Sequence, residues 1–385
     1  MRLRDLGLAT GRLPPGRWNA ITDVAGVRVG HVTLIEGDGP LVPGSGPVRT
    51  GVTVVVPHDG DVWMEPVFAG CHRLNGNGEV TGLEWIRESG LLGGAIGLTN
   101  THSVGVVRDA LVAAAAAIHG QSDVFWSLPV VGETYDGVLN DINGFHVRAE
   151  HLHAALSAAT SGPVAEGNVG GGTGMICHEF KGGIGTASRV LPEGDGGWTV
   201  GVLVQANYGR RDLLRVDGVP VGAAIPTSEV PSARDQADAV SARTAARAAT
   251  RAARGVGTRA DGSIIVIVAT DAPLLPHQCT RLAQRPTLGL GRLGSIAANS
   301  SGDIFLAFAT GNRGLAADDD SLTVDCRMTT DRAITPLFEA AVEATEEAVL
   351  NALVAAETMT GRDGITAHRL PHDRLLEVMA AHGRG

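Results

Sequence analysis

Short runs of apolar, β-branched residues, each stopped by Gly, Pro or Asn, recur along the chain. They predict strands at 51–56, 95–98, 198–205, 263–269 and 304–309. Longer Ala-rich or apolar stretches at helical spacing predict helices over 108–119, 148–160, 336–358 and 373–382. In the third of these, Leu337, Ala341, Ala344, Ala348, Leu350 and Leu353 recur at roughly helical spacing, with Glu343, Glu346 and Glu347 among them. Strands and helices do not alternate one for one, so a plain βαβ succession is not expected. Sheets packed on each other and covered by helices fit better. The run SIIVIVATDAP, opening at Ser263, is the most apolar β-branched segment and is expected to be a central buried strand. The stretch before it, 227–261, has no strand pattern, is loaded with Ala, Arg, Ser and Asp, and ends in RGVGTRAD. An exposed helix followed by a flexible loop is expected there. A hydroxyl therefore sits where a loop runs into a core strand.

Composition narrows the function. With 385 residues, 44% hydrophobic and 19% charged, the chain can bury a large core, which excludes disorder. Its 53 glycines are about twice the usual ~7% share, without a G-X-Y period. A turn-rich α/β or β fold follows. The balance of 31 Lys+Arg against 41 Asp+Glu, net −10, offers no basic surplus for a nucleic-acid partner. Cys71, Cys177, Cys279 and Cys326 stand far apart with no C-x-x-C, so neither a disulfide framework nor a zinc ribbon is indicated. Buried reduced thiols in a cytoplasmic protein are expected. The opening MRLRDLGLATGRLPPGRW lacks the apolar core of a signal peptide. The longest apolar runs, 110–118 and 264–269, fall short of the ~20 residues of a membrane span, so no membrane partner is expected.

Several motifs carry little. Gly289 to Gly294 matches G-x-G-x-x-G but follows QRPT rather than a strand, and reads as a glycine-rich turn. GNVGGGTG (167–174) could form an anion-binding nest but lacks the Lys-Ser/Thr of a P-loop; the only lysine, Lys181, lies seven residues beyond Gly174. THSVG (101–105) is one residue away from a nucleophile elbow, which makes a Ser103 hydrolase the alternative enzyme reading. No H-E-x-x-H is present, and His102, His178 and His277 have no ligand-like spacing, so neither metal nor cofactor is expected. More telling are polar residues beside likely core strands: Glu133, Tyr135, Asn140 and Asp141; Asn207 after 202–205; and NSSGD (299–303) before IFLAFATGN. Each alone is a turn. Together they set amide, hydroxyl and carboxylate groups on a rigid scaffold. The residues by themselves reach a hydrolase-like site of unresolved chemistry.

Seven segments in order add to this: ITDVAGVRVGH (21–31), GVTVV (51–55), ETYDGVLNDING (133–144), GNVGGGTGM (167–175), VQANYG (204–209), GSIIVIVATDAPLLPHQ (262–278) and NSSGDIFLAF (299–308). On these the chain resembles, over nearly its whole length, the self-processing aminopeptidases typified by the L-aminopeptidase D-amidase/D-esterase and the β-peptidyl aminopeptidases. The resemblance implies an αββα four-layer sandwich, related in arrangement to N-terminal-nucleophile hydrolases but different in connectivity. It implies one catalytic domain cut between Gly262 and Ser263 into 1–262 and 263–385, and assembly as a tetramer of cut units. Ser263 would be the nucleophile, Asn207 an oxyanion donor and Tyr135 a contributing phenol. Ser301 and Asp303 would lie near the nucleophile's amine, and Glu133 would hold the substrate's free amine. Some relatives carry Glu where Asp303 stands. Short peptides, or aminoacyl amides and esters with a free amine, are the implied substrates. The chemistry agrees: a Ser hydroxyl needs a base, no His stands close to Ser263 in sequence, and an α-amine of pKa about 7.7–8.0 serves once the chain is cut. A homologue that has lost catalysis and acts as a binding protein is the reading from another class.

Overall fold

Residues 1–121, 125–242, 262–315 and 321–384 are described by the computed structural model. Among them the strands are β1 (Arg28–Glu36), β2 (Val48–Val56), β3 (Val67–Gly76), β4 (Leu91–Leu92), β5 (Ile96–Asn100) and β6 (Val130–Thr134). They continue with β7 (Ile176–Cys177), β8 (Phe180–Lys181), β9 (Gly183–Val190), β10 (Thr199–Tyr208), β11 (Gly262–Thr270), β12 (Gly302–Ala309), β13 (Met359–Thr360) and β14 (Thr366–Ala367). A four-stranded sheet has the order β1-β2-β5-β6 and a six-stranded sheet the order β4-β3-β12-β11-β10-β9.

Side-chain alternation stacks these sheets. Along β11, Ile265 and Ile267 join Leu203, Ile304 and Leu306 against Val55, Ile96 and Leu98 of the smaller sheet, forming the core between the sheets. Ile264, Val266 and Val268 point the other way, onto Leu337, Ala341, Ala344 and Ala348 of the Asp331–Ala355 helix. On the far side of the smaller sheet, Val52, Val54 and Val131 pack against Val107, Leu111, Leu152 and Ala155 of the Val104–His119 and Ala149–Ser157 helices. Helix, sheet, sheet and helix form four layers, as expected.

The predicted strands are all present, with altered ends. β10 runs on to Tyr208, so Asn207 lies in a strand, and Asp303 is likewise inside β12. Glu133 sits near the end of β6, buried in a strand and not on the polar turn that its neighbours suggested. β1, β3, β6 and β9 escaped the reading because glycines and polar residues interrupt their apolar pattern. Gly289 and Gly291 belong to the Pro286–Arg292 helix, not to a turn; a methyl group on Gly289 would lie 2.8 Å from the Val342 carbonyl, so its small size lets two helices meet closely. The stretch Thr101–His119 has the length and the mean hydropathy, 1.3, of a membrane span, which run lengths alone did not reveal. It packs on the smaller sheet through Val107, Ala110 and Leu111. Of the stretch 227–261, the Ala233–Ala242 helix is described, with Ala233 and Arg234 buried; 243–261 lies outside the described residues. Cys71, Cys177 and Cys279 are buried thiols, whereas Cys326 is exposed.

One buried charge cluster ties the layers together. Arg189 of β9, fully buried, pairs with Glu343 at 3.0 Å and with Glu347 at 2.7 Å. Glu347 also receives both Arg4 N–H arms, at 2.7 and 2.8 Å, and the Asn19 amide at 2.6 Å. Glu343 accepts the Arg12 and Leu13 backbone amides. Burial opposes ionisation of Glu347, but the Arg4 hydrogen bond and the charges of Arg189 and Arg4 prevail and hold its carboxyl below the usual range. Its contribution to stability is therefore present above the unfolded carboxylate pKa and is lost as pH falls through the lower folded value. Arg189→Met leaves buried Glu343 without its ion-pair partner and Glu347 with Arg4 alone, and should destabilise the fold by about 3–5 kcal/mol in urea denaturation. A change below about 1 kcal/mol, the scale of an exposed pair, would show that the cluster does not clamp the layers.

Candidate active site

The antiparallel pairing of β10 with β11 sets Asn207 opposite Ser263, and the parallel pairing of β11 with β12 sets Ser263 beside Gly302. Ser263 shares its face of β11 with Ile265 and Ile267, and Asn207 shares its face of β10 with Leu203 and Gln205. Both side chains thus belong to the side facing the smaller sheet, at the end of the intersheet core. Gln205 joins the sheets just behind them, donating to the Thr99 carbonyl and the Thr134 hydroxyl at 2.8 Å each. Gly262 has φ +87, and a methyl group on it would lie 1.7 Å from the Asn207 carbonyl oxygen. Only glycine fits both the left-handed conformation and this contact.

Asn207 is held from two sides. Its Oδ1 accepts the Ile176 amide at 2.8 Å, and its Nδ2 donates to the Tyr135 carbonyl at 3.0 Å. The second Nδ2 proton remains as a donor, which is what an oxyanion needs. The Ser263 Oγ accepts the Gly302 amide at 3.3 Å. Next to it, the Ser301 hydroxyl donates to Asp303 at 2.6 Å, and Asn75 donates to the other Asp303 oxygen at 3.2 Å. Burial raises the Asp303 pKa, against the pull of those two donors.

Glu133 is 3% exposed. Its carboxylate accepts the Glu79 amide at 2.9 Å and a short hydrogen bond from the Thr101 hydroxyl. Burial nevertheless raises its pKa, with the Thr101 and Glu79 hydrogen bonds working against that shift. The Tyr135 side chain is 45% exposed, and its hydroxyl lies over Gly137, where an added methyl group would stand 2.4 Å away.

Glu133, Tyr135, Asn207, Gly262 and Ser263 line one cavity of about 690 Å³, together with Thr101, Glu79, Arg234 and Ser300. Ser301 and Asp303 stand behind its wall, buried. Of the residues singled out from the sequence, Glu133, Tyr135, Asn207, Gly262, Ser263, Ser301 and Asp303 therefore converge here, whereas Asn140 and Asp141 hydrogen-bond elsewhere, Asn140 to Arg49 and Asp136 and Asp141 to Gly44 and His146. Nor does Ser103 converge here: it is buried at the start of the Val104–His119 helix and does not line the cavity. The Gly167–Gly174 stretch is not an anion nest, since the Gly170 and Gly171 amides donate to the Thr33 and Thr53 hydroxyls. Lys181 is buried, with its ammonium on the carbonyls of Gly172, Met175 and Gly182. No histidine lines the cavity among the described residues, and none of them form a group of three or more metal-ligating side chains. Thr101, Glu79, Asn75 and Ile176 were missed. Two act through backbone amides, which carry no sequence signal, and Thr101 was visible only as part of THSVG.

The model of Peptidase family S58 matches residues 19–367. The chain belongs to this family. It is 51% identical over 384 residues to the β-peptidyl aminopeptidase BapA of Sphingosinicella microcystinivorans, covering 100% of this chain and 93% of that protein. Among solved structures it is similar to a Burkholderia sp. β-aminopeptidase, with TM-score 0.88, 54% identity and full coverage of both chains. It is also similar to the L-aminopeptidase D-Ala-esterase/amidase of Ochrobactrum anthropi, described as a prototype of the serine aminopeptidases and a variant of the Ntn hydrolase fold. That likeness has TM-score 0.86 and 44% identity, covering 100% of this chain and 99% of the other. As an S58 member the chain is a serine aminopeptidase, a hydrolase on a variant of the Ntn fold.

Burial raises the Glu133 pKa against its two hydrogen bonds, so its carboxyl should titrate above the ordinary carboxylate range when its side-chain carbon is followed by NMR. Thr101→Val removes a hydrogen bond to the ionised form, so that titration should move to still higher pH. An unmoved titration would show that Thr101 does not support the ionised carboxylate.

Proposed function

We propose that the chain cuts itself between Gly262 and Ser263 and that Ser263 is then an N-terminal nucleophile releasing amino-terminal residues from short peptides, amides or esters. The observation that carries this reading is the pairing of Ser263 with Asn207 directly after a glycine held at φ +87 against the Asn207 carbonyl. An uncut serine in a strand beside no histidine lacks a base; the same serine at a chain terminus carries one in its own α-amine, with pKa about 7.7–8.0.

In self-cleavage, Ser263 Oγ attacks the Gly262 carbonyl, the peptide bond to the Ser263 nitrogen breaks as that nitrogen takes up the Oγ proton, and water hydrolyses the resulting ester to a Gly262 carboxylate and the free Ser263 hydroxyl and amine. In turnover, the α-amine takes the Oγ proton as Oγ attacks the substrate carbonyl. Asn207 Nδ2–H donates to the oxyanion, and the proton passes to the leaving amine or alcohol. Water then releases the acyl group by the same steps in reverse. Ser301 and Asp303 orient the amine, and the Tyr135 hydroxyl lies over the cavity as a further donor. Glu133 pairs with the substrate ammonium, which alone distinguishes a chain's first residue from an internal one. Esters and amides follow from the same acyl-enzyme. The names of the relatives favour β-peptides among the substrates. A tetramer of cut units, in a reducing cytoplasm that suits the free thiols, completes the proposal.

Purified protein should run as two fragments, 1–262 and 263–385, about two-thirds and one-third of the mass by residue count. Ser263→Ala should remain whole and inactive. An intact wild-type chain with full activity would refute the cut.

Glu133 gives a separate test with an aminoacyl p-nitroanilide and its N-acetylated form. Wild type should hydrolyse the free amine, losing about 1.5–3 kcal/mol of charge-assisted binding on acetylation, roughly a 10- to 150-fold preference. Glu133→Gln should lose most of that preference while still cutting itself. Equal hydrolysis of both substrates by wild type would rule out recognition of the amine.

A further inference from the structure

The partner that orients Asn207 is itself on a strained element. Ile176, whose amide holds the Asn207 Oδ1 at 2.8 Å, opens the β7–β8 hairpin, and the two residues of its turn are His178 and Glu179. Both have positive φ, +47 and +61, the pattern of a type I′ turn. Such turns favour Asn-Gly, because a side chain at φ > 0 meets the backbone. A histidine and a glutamate, both buried, hold this conformation at a cost that something else must offset.

Arg211 supplies the compensation. Its Nε donates to the His178 carbonyl at 3.1 Å and its Nη2 to the Glu179 carbonyl at 2.8 Å, so one planar fork grips both turn carbonyls. Its Nη1 ties that fork to the Ile225 and Val230 carbonyls, at 3.1 and 3.0 Å, and its guanidinium lies 3.4 Å over the Phe180 ring of β8. The hairpin is also joined to β10 directly: the His178 amide donates to the Tyr208 carbonyl at 2.6 Å, one residue beyond Asn207. Arg211 itself is 3% exposed and does not line the cavity.

We infer that Arg211 is a positioning residue of the peptidase: by clamping a turn that its own sequence disfavours, it holds the Ile176 amide where it aims the Asn207 side chain at the oxyanion. This rests on the proposed role of Asn207. Loosening the turn lets Ile176 withdraw from Oδ1, and the amide then turns about its last torsion. The substrate cavity keeps its other walls, so the defect falls on the transition state and not on substrate binding.

The experiment compares four cut enzymes on one aminoacyl p-nitroanilide: wild type, Asn207→Ala, Arg211→Met, and Arg211→Met with Glu179→Gly, which places glycine at the second turn position. Arg211→Lys, which keeps the cation but loses the fork, replaces Arg211→Met if the latter does not fold. Asn207→Ala should lower kcat about 10²–10³-fold, the usual effect of one lost oxyanion donor. The Arg211 variant should lower kcat about 10- to 100-fold with KM within about twofold, a fraction of the same effect. Adding Glu179→Gly should restore most of kcat, because the turn then needs no clamp. An Arg211 variant with wild-type kcat, while Asn207→Ala is impaired, would overturn the inference and leave the oxyanion reading standing. A kcat loss that glycine does not restore would reduce Arg211 to general support of the fold and also overturn it. Full kcat in Asn207→Ala would remove the oxyanion reading and this inference with it.

Discussion

The register between β10 and β11 is the constraint on which the site depends. Side chains alternate with period two, so a slip of β11 by one residue would turn Ser263 away from the smaller sheet and aim Ile264 at it, parting Ser263 from Asn207. The register is set from both ends. Along the strands, Ile265, Ile267 and Leu203 fill the intersheet core while Ile264, Val266 and Val204 fill the helix side, so a slip would misplace both sets. At the site end, Gly262 fits under the Asn207 carbonyl where no side chain would. A hydroxyl on a loop would be placed by a few turn contacts; that of Ser263 is placed by the packing of two cores.

The same arrangement tolerates a broken chain. A cut before Ser263 removes no strand from the larger sheet, because β11 still pairs with β10 on one side and β12 on the other. Those pairings then join two polypeptides, since β10 precedes the cut and β11 follows it. The Arg189 cluster would do the same on the other face: the proposed cut would leave Arg4 and Arg189 in the first fragment and Glu343 and Glu347 in the second. Charges buried this deeply resist separation, because parting them in a dry interior leaves each uncompensated.

Much of this was legible in the residues, and the rest was hidden for identifiable reasons. β11 could be read from an unbroken β-branched run, and the long helix from its spacing of Leu and Ala. β9 could not, because GIGTASRV looks like a polar turn. Its Ser188 and Arg189 are buried only because Asp23, Glu343 and Glu347, far away in sequence, receive them. Asn207, Glu133 and Asp303 looked like turn residues for the same reason: a polar residue at the end of an apolar run stops a strand in isolation, yet continues it where neighbours satisfy its hydrogen bonds. The resemblance picked out those residues; the tertiary hydrogen bonds explain why strands accept them. Backbone donors such as the Glu79 and Ile176 amides have no residue signature at all, so nothing short of the fold reveals them.

The electrostatics of the cavity follow from where each group sits in the layers. Glu133 and Asp303 both have pKa values raised by burial, so each is an ion that its surroundings support only in part. A cation arriving beside either one completes it. In the proposed mechanism the missing cation for Glu133 is a substrate's terminal ammonium, and for Asp303, one strand away from Ser263, it is the ammonium that the Ser263 amine becomes on taking up a proton. Two similar carboxylates thus differ by position alone, one facing the cavity and one behind its wall, and the proposed tasks follow that difference. A buried carboxylate left without its cation is costly, and that cost is lowered only when a positive charge is in place. Binding of a free amine and protonation of the base are therefore favoured by one and the same physical term.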